Sequence, residues 1–306
     1  QELKDRIASV IVGQEQTVDL VLTAILANGH VLIEGVPGVA KTLLARLTAR
    51  LIDADFSRIQ FTPDLMPSDV LGTTVFNMKT NGFDFHQGPI FADIVLVDEI
   101  NRAPAKTQAA LFEVMEERQI SIDGTTHRMG DLYTILATQN PVEQEGTYKL
   151  PEAQLDRFLM KITMDYPSLE EEVNILERHH TNAALVKLDD ITPAITKEEL
   201  LSLRAFMNQV FVDRTLLQYI ALIVQQTRTS KAVYLGASPR ASVAMLQSSK
   251  AYALLQGRDF VTPEDIKFVA PYVLQHRLIL TAEAEMEGYS PVKVTQRLID
   301  KVEVPK

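Results

Sequence analysis

The first half of the chain alternates short apolar runs with stretches in which apolar residues recur at helical spacing. The apolar runs predict strands at Val31–Ile33, Arg58–Phe61, Ile94–Val97, Tyr133–Ala137 and Leu159–Thr163. The amphipathic stretches between them predict helices at Gln14–Ala27, Lys41–Leu51 and Ala105–Glu117. Strands that alternate with helices in this way are typical of a parallel sheet sandwiched by helices. We therefore predict an α/β core.

Two further segments of this half carry the pattern of β-hairpins. Asn81-Gly82 separates Thr74–Asn77 from Phe83–His86, and Asp123-Gly124 separates Gln119–Ile122 from Thr125–Arg128. Asn-Gly and Asp-Gly suit tight hairpin turns because both central residues need positive φ. We predict two hairpins inserted into the core. For the aromatic residues of the first hairpin, Phe76, Phe83 and Phe85, packing is the favoured role, although exposed ones would suit contact with another protein.

The second half of the chain lacks the strand pattern after Pro167 and carries helix starts instead. An N-cap residue followed by proline or acids marks a start at Thr196, Ser238 and Thr262. We predict an all-α domain here, with a connecting segment around Asp189-Asp190 and Pro193. The predicted domains are an α/β core at residues 1–188 and a helical domain at residues 189–306.

A candidate phosphate-binding loop joins the strand Val31–Ile33 to the next helix. It reads Gly35-Val36-Pro37-Gly38-Val39-Ala40-Lys41-Thr42, with alanine where the pattern G-x-x-x-x-G-K-[S/T] has its second glycine. In this context backbone N–H groups and the helix N-terminus face an anion. A phosphate would offset the unfavourable place of Lys41 at the positive end of the helix dipole, and Thr42 would offer its hydroxyl to Mg²⁺. Alanine at position 40, next to the helix start, is compatible with helical φ/ψ, so its methyl group is harmful only if the loop needs positive φ there.

Polar side chains follow two of the predicted strands. Asp98 and Glu99 come directly after Ile94–Val97, at the strand end where open α/β sheets bind ligands. Asp98 is placed to hold Mg²⁺ directly or through water, and Glu99 to act as general base on the attacking water. Asn140 follows Tyr133–Ala137 and could position that water or sense the γ-phosphate, with a plain turn residue as the alternative. These residues together predict nucleotide hydrolysis.

Two arginines in the later part of the chain are candidates for phosphate contacts. Arg240 falls at the second position of the helix that begins Ser238-Pro239, where a cation indicates an anion nearby. A solvated arginine is the alternative. Spacing alone does not assign Arg157 such a role, because Asp156-Arg157 before a strand is more often a surface ion pair.

Composition narrows the class of protein. The chain has 306 residues, of which 46% are hydrophobic and 23% charged, as expected for one large or two medium globular domains. A net charge of -10 argues against nucleic acid as the main partner. The absence of cysteine excludes disulfides and thiolate metal sites and fits a reducing compartment. No membrane span is predicted, since Asp19 and Thr23 interrupt the apolar stretch Val18–Ala27, and cytoplasm is the expected location.

Five ordered motifs together resemble the MoxR family of AAA+ ATPases, over residues 11 to about 280. They are GVPGVAKT, LVDEINRAP (Leu96–Pro104), LATQNP (Leu136–Pro141), LPEAQLDRFLMKI (Leu150–Ile162) and GASPRAS (Gly236–Ser242). The resemblance implies an ATPase that uses ATP and Mg²⁺ and works as a homo-hexameric ring. It also implies chaperone-like remodelling or metal insertion, with partners that carry von Willebrand factor A domains.

The resemblance also implies roles for individual residues. Nucleotide binding would involve Val12, Gly13, Gly35, Val36, Pro37, Gly38, Val39, Ala40, Lys41, Thr42 and Leu43, with Mg²⁺ at Thr42 and Asp98. Arg157 matches the arginine finger that reaches the γ-phosphate of the neighbouring subunit, and Arg240 matches the sensor of the helical lid. The hairpins, at residues 70–87 and 119–128, match insertions that in relatives point into the central pore and touch the client.

Three alternatives stay open at this point. Related helicases share the hairpins and the alanine of the phosphate loop, so a nucleic-acid motor is one. The ATPase subunit of a magnesium chelatase has similar motifs and is the second. A nucleotide-gated binding module with negligible turnover is the third.

Overall fold

The computed structural model describes residues 2–36, 38–140, 147–181 and 188–304. Its contacts group the chain into two compact units. The first unit contains Gln1–Val18, Leu32–Leu150 and Thr163–Leu201, and the second contains Asp19–Val31, Pro151–Ile162 and Ser202–Lys306. The domain boundary expected between residues 188 and 189 stays a prediction.

Most of the described residues lie in helices and strands. The α-helices are α1 (Glu2–Val10), α2 (Glu15–Leu26), α3 (Lys41–Leu51), α4 (Pro67–Leu71), α5 (Ala105–Glu117), α6 (Glu152–Leu155), α7 (Leu169–His180), α8 (Lys197–Met207), α9 (Arg214–Thr229), α10 (Pro239–Leu255), α11 (Pro263–Leu274), α12 (Ala282–Met286) and α13 (Pro291–Lys301). The strands are β1 (Val31–Gly35), β2 (Phe56–Gln60), β3 (Gly72–Asn77), β4 (Gly82–Gln87), β5 (Ile94–Asp98), β6 (Gln119–Ile122), β7 (Thr125–Arg128), β8 (Thr134–Gln139), β9 (Met160–Met164), β10 (Val233–Leu235) and β11 (Ile279–Leu280). Among the described residues, no helix combines the length and the apolar character needed to cross a bilayer.

Strands β2, β5 and β8 of the first unit belong to a five-stranded sheet with the strand order β2-β5-β8-β1-β9. Strand β5 pairs in parallel with β2 on one side and with β8 on the other. All five residues of β5 are buried, as a strand covered on both faces requires. The predicted α/β class is confirmed, and the carboxyl ends of β1, β5 and β8 carry the candidate site residues.

Both predicted hairpins are present, and they pack against each other. Antiparallel pairing joins β3 to β4 and β6 to β7. The tight turn expected at Asn81-Gly82 is wrong in detail, because Gly82 pairs with Asn77 as the first residue of β4 and residues 78–81 form the turn. Thr74 of the first hairpin donates a hydrogen bond to Asp123 of the second at 2.6 Å. The ring of Phe85 lies 4.3 Å from the ring of His127, measured between centroids. The hairpins therefore form one composite insertion.

The second unit contains most of the helices that follow α7. The predicted starts at Ser238 and Thr262 are confirmed as N-caps of α10 and α11. The predicted helical character of the C-terminal part is confirmed, and the antiparallel ribbon of β10 and β11 is an addition to it that the sequence did not predict. These strands are too short for a period-two pattern to show in the sequence. A small core of Leu280, Ala284, Val294 and Leu298 supports the ribbon.

Candidate nucleotide-binding site

The phosphate-loop sequence connects β1 to α3 in the first unit. The ammonium group of Lys41 donates a hydrogen bond to the carbonyl of Gly35 at 2.6 Å. Burial lowers the pKa of Lys41, and the nearby carboxylates of Asp98 and Glu99 partly offset this effect. A Cβ on Gly35 would lie 2.7 Å from the backbone oxygen of Met164, so only glycine fits there. Pro37 lies outside the described residues.

The phosphate loop does need positive φ at Ala40, the condition under which a methyl group is unfavourable there. The φ of 60° and ψ of 23° put Ala40 in the left-handed region, and it is the cap residue of α3 rather than a member of the helix. The carbonyl of Ala40 already accepts the first helical hydrogen bond, from the Leu44 N–H at 2.9 Å. Gly38, with φ +86°, shares the left-handed geometry at no steric cost.

Asp98, at the end of β5, is held from two neighbouring strands. Arg58 of β2 donates through Nε to Oδ2 of Asp98 at 2.6 Å, and the Thr138 hydroxyl of β8 donates to Oδ1 at 3.0 Å. The side chain of Asp98 is 10% exposed, whereas that of Arg58 is 52% exposed. The carboxylate is thus buried with its charge compensated by an arginine that reaches solvent.

Glu99 follows Asp98 in a left-handed conformation with φ 56°. Its backbone N–H donates to the Thr138 hydroxyl at 3.0 Å, so Thr138 links both acidic residues to β8. Its carboxylate pairs with Arg102 Nε at 2.9 Å. Each side chain of this pair is about one third exposed, at 33% and 37%. This leaves the Glu99 carboxylate within reach of water.

Asn140 lies directly after β8 and is 8% exposed. Strand β8 runs parallel to β5, so Asn140 and the two acidic residues follow strand ends on the same edge of the sheet. Burying an amide without hydrogen-bond partners costs free energy, so we expect the side chain of Asn140 to have polar groups around it. The adjacent Pro141 lies outside the described residues.

A cavity of about 320 Å³ opens beside the phosphate loop. Three segments of the first unit line it: the end of α1 with the bend that follows, the start of α3, and α7. The lining residues are Ser9, Val10, Ile11, Val12, Gln14, Gly38, Val39, Ala40, Leu43, Pro167, Ile175, Arg178 and His179. Arg178 braces the wall by donating to the Ser9 carbonyl at 2.8 Å. The mostly apolar walls suit a planar base.

Of the two residues before α2 that the resemblance assigns to nucleotide binding, one lines this cavity and the other does not. Val12 lines the cavity, but Gly13 is not among the lining residues. Gly13 has φ +71°, and a Cβ there would lie 2.3 Å from the side chain of Glu171. Its role is to let the chain turn closely past α7, so that Val12 can face the cavity.

The remaining two candidate residues belong to the second unit. Arg157 lies in the turn between α6 and β9, and its neighbour Asp156 pairs with Arg277 at 2.6 Å instead of forming a local surface pair. Arg240 is the second residue of α10, after Pro239, as predicted. Both arginines make contacts within the described structure.

Sequence reasoning missed Arg58 and Thr138. Arg58 is one charged residue in the strand sequence FSRIQ, and its contact with Asp98 depends on how β2 pairs with β5. For Thr138 the sequence does contain a signal, because it is a polar residue near the end of a mostly apolar strand. In the structure its side chain is only 2% exposed. A buried hydroxyl near two carboxylates is expected to bond to them.

Comparison with known proteins agrees with this geometry. Residues 30–160 match the family model of ATPases associated with various cellular activities (AAA), and residues 225–300 match the AAA lid domain. The chain is 48% identical to the protein YeaC of Bacillus subtilis, over 98% of this chain and 93% of YeaC. It is 45% identical to "Chaperone MoxR1" of Mycobacterium tuberculosis, over 97% of this chain and 80% of that protein. A crystal structure of a "putative ATPase" from Cytophaga hutchinsonii, 41% identical, superposes with a TM-score of 0.91 and covers 100% of this chain and 94% of that one.

Sheet order, phosphate loop and paired carboxylates define the class of AAA+ P-loop ATPases, and the matched models of an AAA domain and an AAA lid agree. Within that class the chain belongs to the MoxR family.

Proposed function

We propose that this chain binds ATP at the phosphate loop and hydrolyses it to ADP and phosphate. The observation that carries the proposal is the convergence of Lys41, Asp98 and Glu99 at one edge of the sheet. The two carboxylates are close enough to influence the pKa of the Lys41 ammonium group. An anion-binding loop, a buried carboxylate and an accessible carboxylate are the parts that phosphoryl transfer to water needs.

Each of these residues has a definite task in the proposed reaction. Lys41 exchanges its hydrogen bond to the Gly35 carbonyl for phosphate oxygens, since a charge-assisted bond to phosphate is stronger. Glu99 accepts a proton from the attacking water, after its carboxylate leaves Arg102. Asn140 orients that water without adding charge. Val12 and Leu43 hold the base in the cavity.

The donor set of this edge of the sheet fits Mg²⁺. Thr42 supplies a hydroxyl and Asp98 a carboxylate, and oxygen donors are what this ion prefers. Within the part of the chain that the structure describes, there is no group of three or more His, Asp or Glu side chains that could bind a metal ion by themselves. Mg²⁺ in nucleotide sites needs no such group of protein ligands, because phosphate oxygens and water molecules complete its coordination shell. When bound, it neutralises charge on the transferring phosphoryl group.

We further propose that the protein works as a homo-hexameric ring in which Arg157 completes the site of the neighbouring subunit. An arginine that stabilises the transferring phosphoryl group raises the rate by about 10³–10⁵ in GTPases. Arg240, in the first turn of α10, serves as the sensor of the lid. The family membership supports both assignments. A cytoplasmic location likewise stays a prediction.

Chaperone-like remodelling is the proposed use of this ATPase. A relative 45% identical is named as a chaperone, and the hairpins offer a surface for clients. Phe76 and Phe83 form an edge-to-face pair that is largely exposed, at 47% and 74%, and Met78 beside them is 88% exposed. Packing, the role favoured for Phe76, Phe83 and Phe85, therefore holds for Phe85, which contacts Phe91 and His127. Proteins with von Willebrand factor A domains are the proposed partners, and metal insertion is one outcome of such remodelling.

Nucleotide binding by a Lys41→Ala variant tests the proposal. We expect Lys41→Ala to abolish binding of a fluorescent ATP analogue, or at least phosphate release, because no other basic residue of the loop replaces it. Lys106→Ala is the matched control, since Lys106 also lies in the first turn of a helix but is exposed on α5. Turnover close to that of the unmodified chain in Lys41→Ala would refute the phosphate-site assignment. The family membership does not favour the motor and chelatase alternatives.

A further inference from the structure

A four-residue turn carries Arg157 between α6 and β9. It runs from Asp156 to Leu159, after a helix of only four residues. The N–H groups of Asp156, Arg157 and Phe158 bond back to carbonyls of residues 152–155. Buried carbonyls need hydrogen-bond donors, and a side chain can supply them where the chain turns.

Arg277 supplies such donors from the turn that follows α11. All five N–H groups of its guanidinium find an acceptor. Nε donates to Asp156 Oδ1 at 2.6 Å, Nη2 to the carbonyls of Asp156 at 3.2 Å and Phe158 at 2.7 Å, and Nη1 to the carbonyls of Leu159 at 3.2 Å and Val273. Four of the five acceptors belong to the turn that carries Arg157.

The two residues before Arg277 bind the same stretch of chain. His276 contacts the Phe158 carbonyl through Nε2 at 3.0 Å, and Gln275 donates to the Lys161 carbonyl. A carbonyl only accepts, so Nε2 of His276 carries the proton. Burial, reinforced by the neighbouring Arg277 cation, lowers the pKa of His276 well below its usual range. The imidazole is therefore neutral and acts as a fixed donor.

Stability alone does not explain a buried guanidinium at this place. The side chain of Arg277 is only 4% exposed, and removing its charge from water is costly. Well-packed apolar residues often serve stability as well as a buried ion pair does. An arginine fork differs from an apolar side chain in that it fixes several carbonyls in defined directions. The geometry of the turn is therefore what Arg277 determines.

We propose that Arg277 is a positioning residue for Arg157, holding the turn in the one conformation that presents the arginine finger to nucleotide. This inference rests on the proposed function of Arg157. Asp156 extends the arrangement, because its Oδ2 also accepts from Ser238 at 3.4 Å. Ser238 caps the helix that bears Arg240, so one carboxylate connects the segments of both arginines.

The test compares ATP turnover of Arg277→Lys with a matched control. Lysine keeps the charge but loses the fork, so we expect kcat to fall by about tenfold to a hundredfold, as for small misplacements of catalytic groups. The KM for ATP should change by less than about threefold, since transition-state contacts are lost and ground-state contacts kept. Arg258→Lys is the control. Arg258 also pairs with a buried carboxylate in this unit, Asp265 at 2.5 Å, without touching the turn of Arg157.

A double variant separates positioning from general destabilisation. If Arg277 acts only through Arg157, then Arg157→Ala with Arg277→Lys should turn over as slowly as Arg157→Ala alone, within about twofold. Slowing by the same factor in both backgrounds would overturn the inference. So would an unchanged kcat in Arg277→Lys, or equal slowing in Arg258→Lys.

The remaining outcomes are also decisive. A normal kcat in Arg157→Ala would refute the proposed role of Arg157, and with it this inference. A slow Arg157→Ala beside a normal Arg277→Lys would refute this inference alone. Should Arg277→Lys fail to fold, Asp156→Asn takes its place under the same criteria, since it keeps an acceptor for Nε but removes the counter-charge.

Discussion

Two residues of the candidate site hold left-handed backbone without being glycine. Ala40 has φ 60° and Glu99 has φ 56°. For an L-residue this conformation costs roughly 1–2 kcal/mol. Strain of this kind persists only where the surroundings impose it, and it collects at functional sites. At Glu99 the hydrogen bond from its N–H to Thr138 is one such constraint.

Replacing Ala40 with glycine should stabilise the chain without nucleotide. Glycine adopts the left-handed conformation freely, and even after its larger entropy loss on folding we expect a gain of about 0.5–1 kcal/mol. Urea unfolding measures the change. Ala109→Gly is the control, because Ala109 is exposed within α5, where glycine costs about 1 kcal/mol. Equal destabilisation by both substitutions would contradict the strain at Ala40.

Arg58→Gln should increase the apparent affinity for Mg²⁺ in the presence of nucleotide. Arg58 neutralises Asp98, so a cation that approaches this carboxylate must compete with the arginine. The ion pair is half exposed and worth up to about 1 kcal/mol, so the Mg²⁺ concentration at half-maximal nucleotide binding should fall by up to about fivefold. This concentration is measured by titrating Mg²⁺ into a mixture of the protein and a fluorescent ADP analogue and following the binding of the analogue. Weaker binding in Arg58→Gln would instead mean that Arg58 contacts phosphate.

At the scale of elements, the two hairpins depend on each other. Phe85 stacks near His127 and also lies 5.9 Å from Phe91, so it joins β4 to the second hairpin and to the core. Phe83, two residues earlier on the same strand, is 74% exposed. Residues two apart on a strand share a face, so the difference lies along the strand: Phe85 meets His127 and Phe91, whereas Phe83 pairs with Phe76 next to the turn.

Truncating these two phenylalanines should have different effects on stability. Phe85→Ala should lower the free energy of unfolding by about 1–3 kcal/mol, because it removes a shared aromatic contact. Phe83→Ala should stay within about 0.5 kcal/mol, as for exposed sites. Thermal or urea unfolding distinguishes them. If Phe83→Ala were the more damaging change, the packing of the hairpins described above would be wrong.

The sequence predicted these elements well where a local signal existed. The bounds of α3, α5, β6 and β7 agree with their predictions residue for residue. The turn Asp123-Gly124 was predicted correctly, since both residues hold positive φ, but at the first hairpin only Asn81 does, because Gly82 already belongs to β4. The ribbon of β10 and β11 was not recognisable, since its strands are separated by more than forty residues and pair through tertiary contact.

At the scale of the whole molecule, mixing inactive variants should restore hydrolysis. Glu99→Gln and Arg157→Ala subunits each supply the half of the site that the other lacks. If Arg157 acts on the neighbouring subunit, about one quarter of the interfaces in a random ring would be complete. Phosphate release by the mixture, above that of either variant alone, measures this.

A second mixture provides the control for that experiment. Lys41→Ala combined with Glu99→Gln should stay inactive, because Lys41 and Glu99 belong to the same half of the site. Hydrolysis by this control mixture would show that mixing subunits restores activity for a reason other than Arg157. No recovery in the first mixture, despite proven co-assembly, would contradict the action of Arg157 on a neighbour.

The sequence by itself determined the class of fold, the order of the motifs and the position of the acidic pair, because strand periodicity, loop pattern and helix caps are local properties. Tertiary structure alone decided which partners these residues have. Arg58 meets Asp98 across forty residues and Arg277 meets Asp156 across one hundred and twenty-one. Such contacts depend on strand register and on the packing of distant helices. The left-handed backbone of Ala40 likewise depends on how β1 and α3 are held, and not on the identity of alanine.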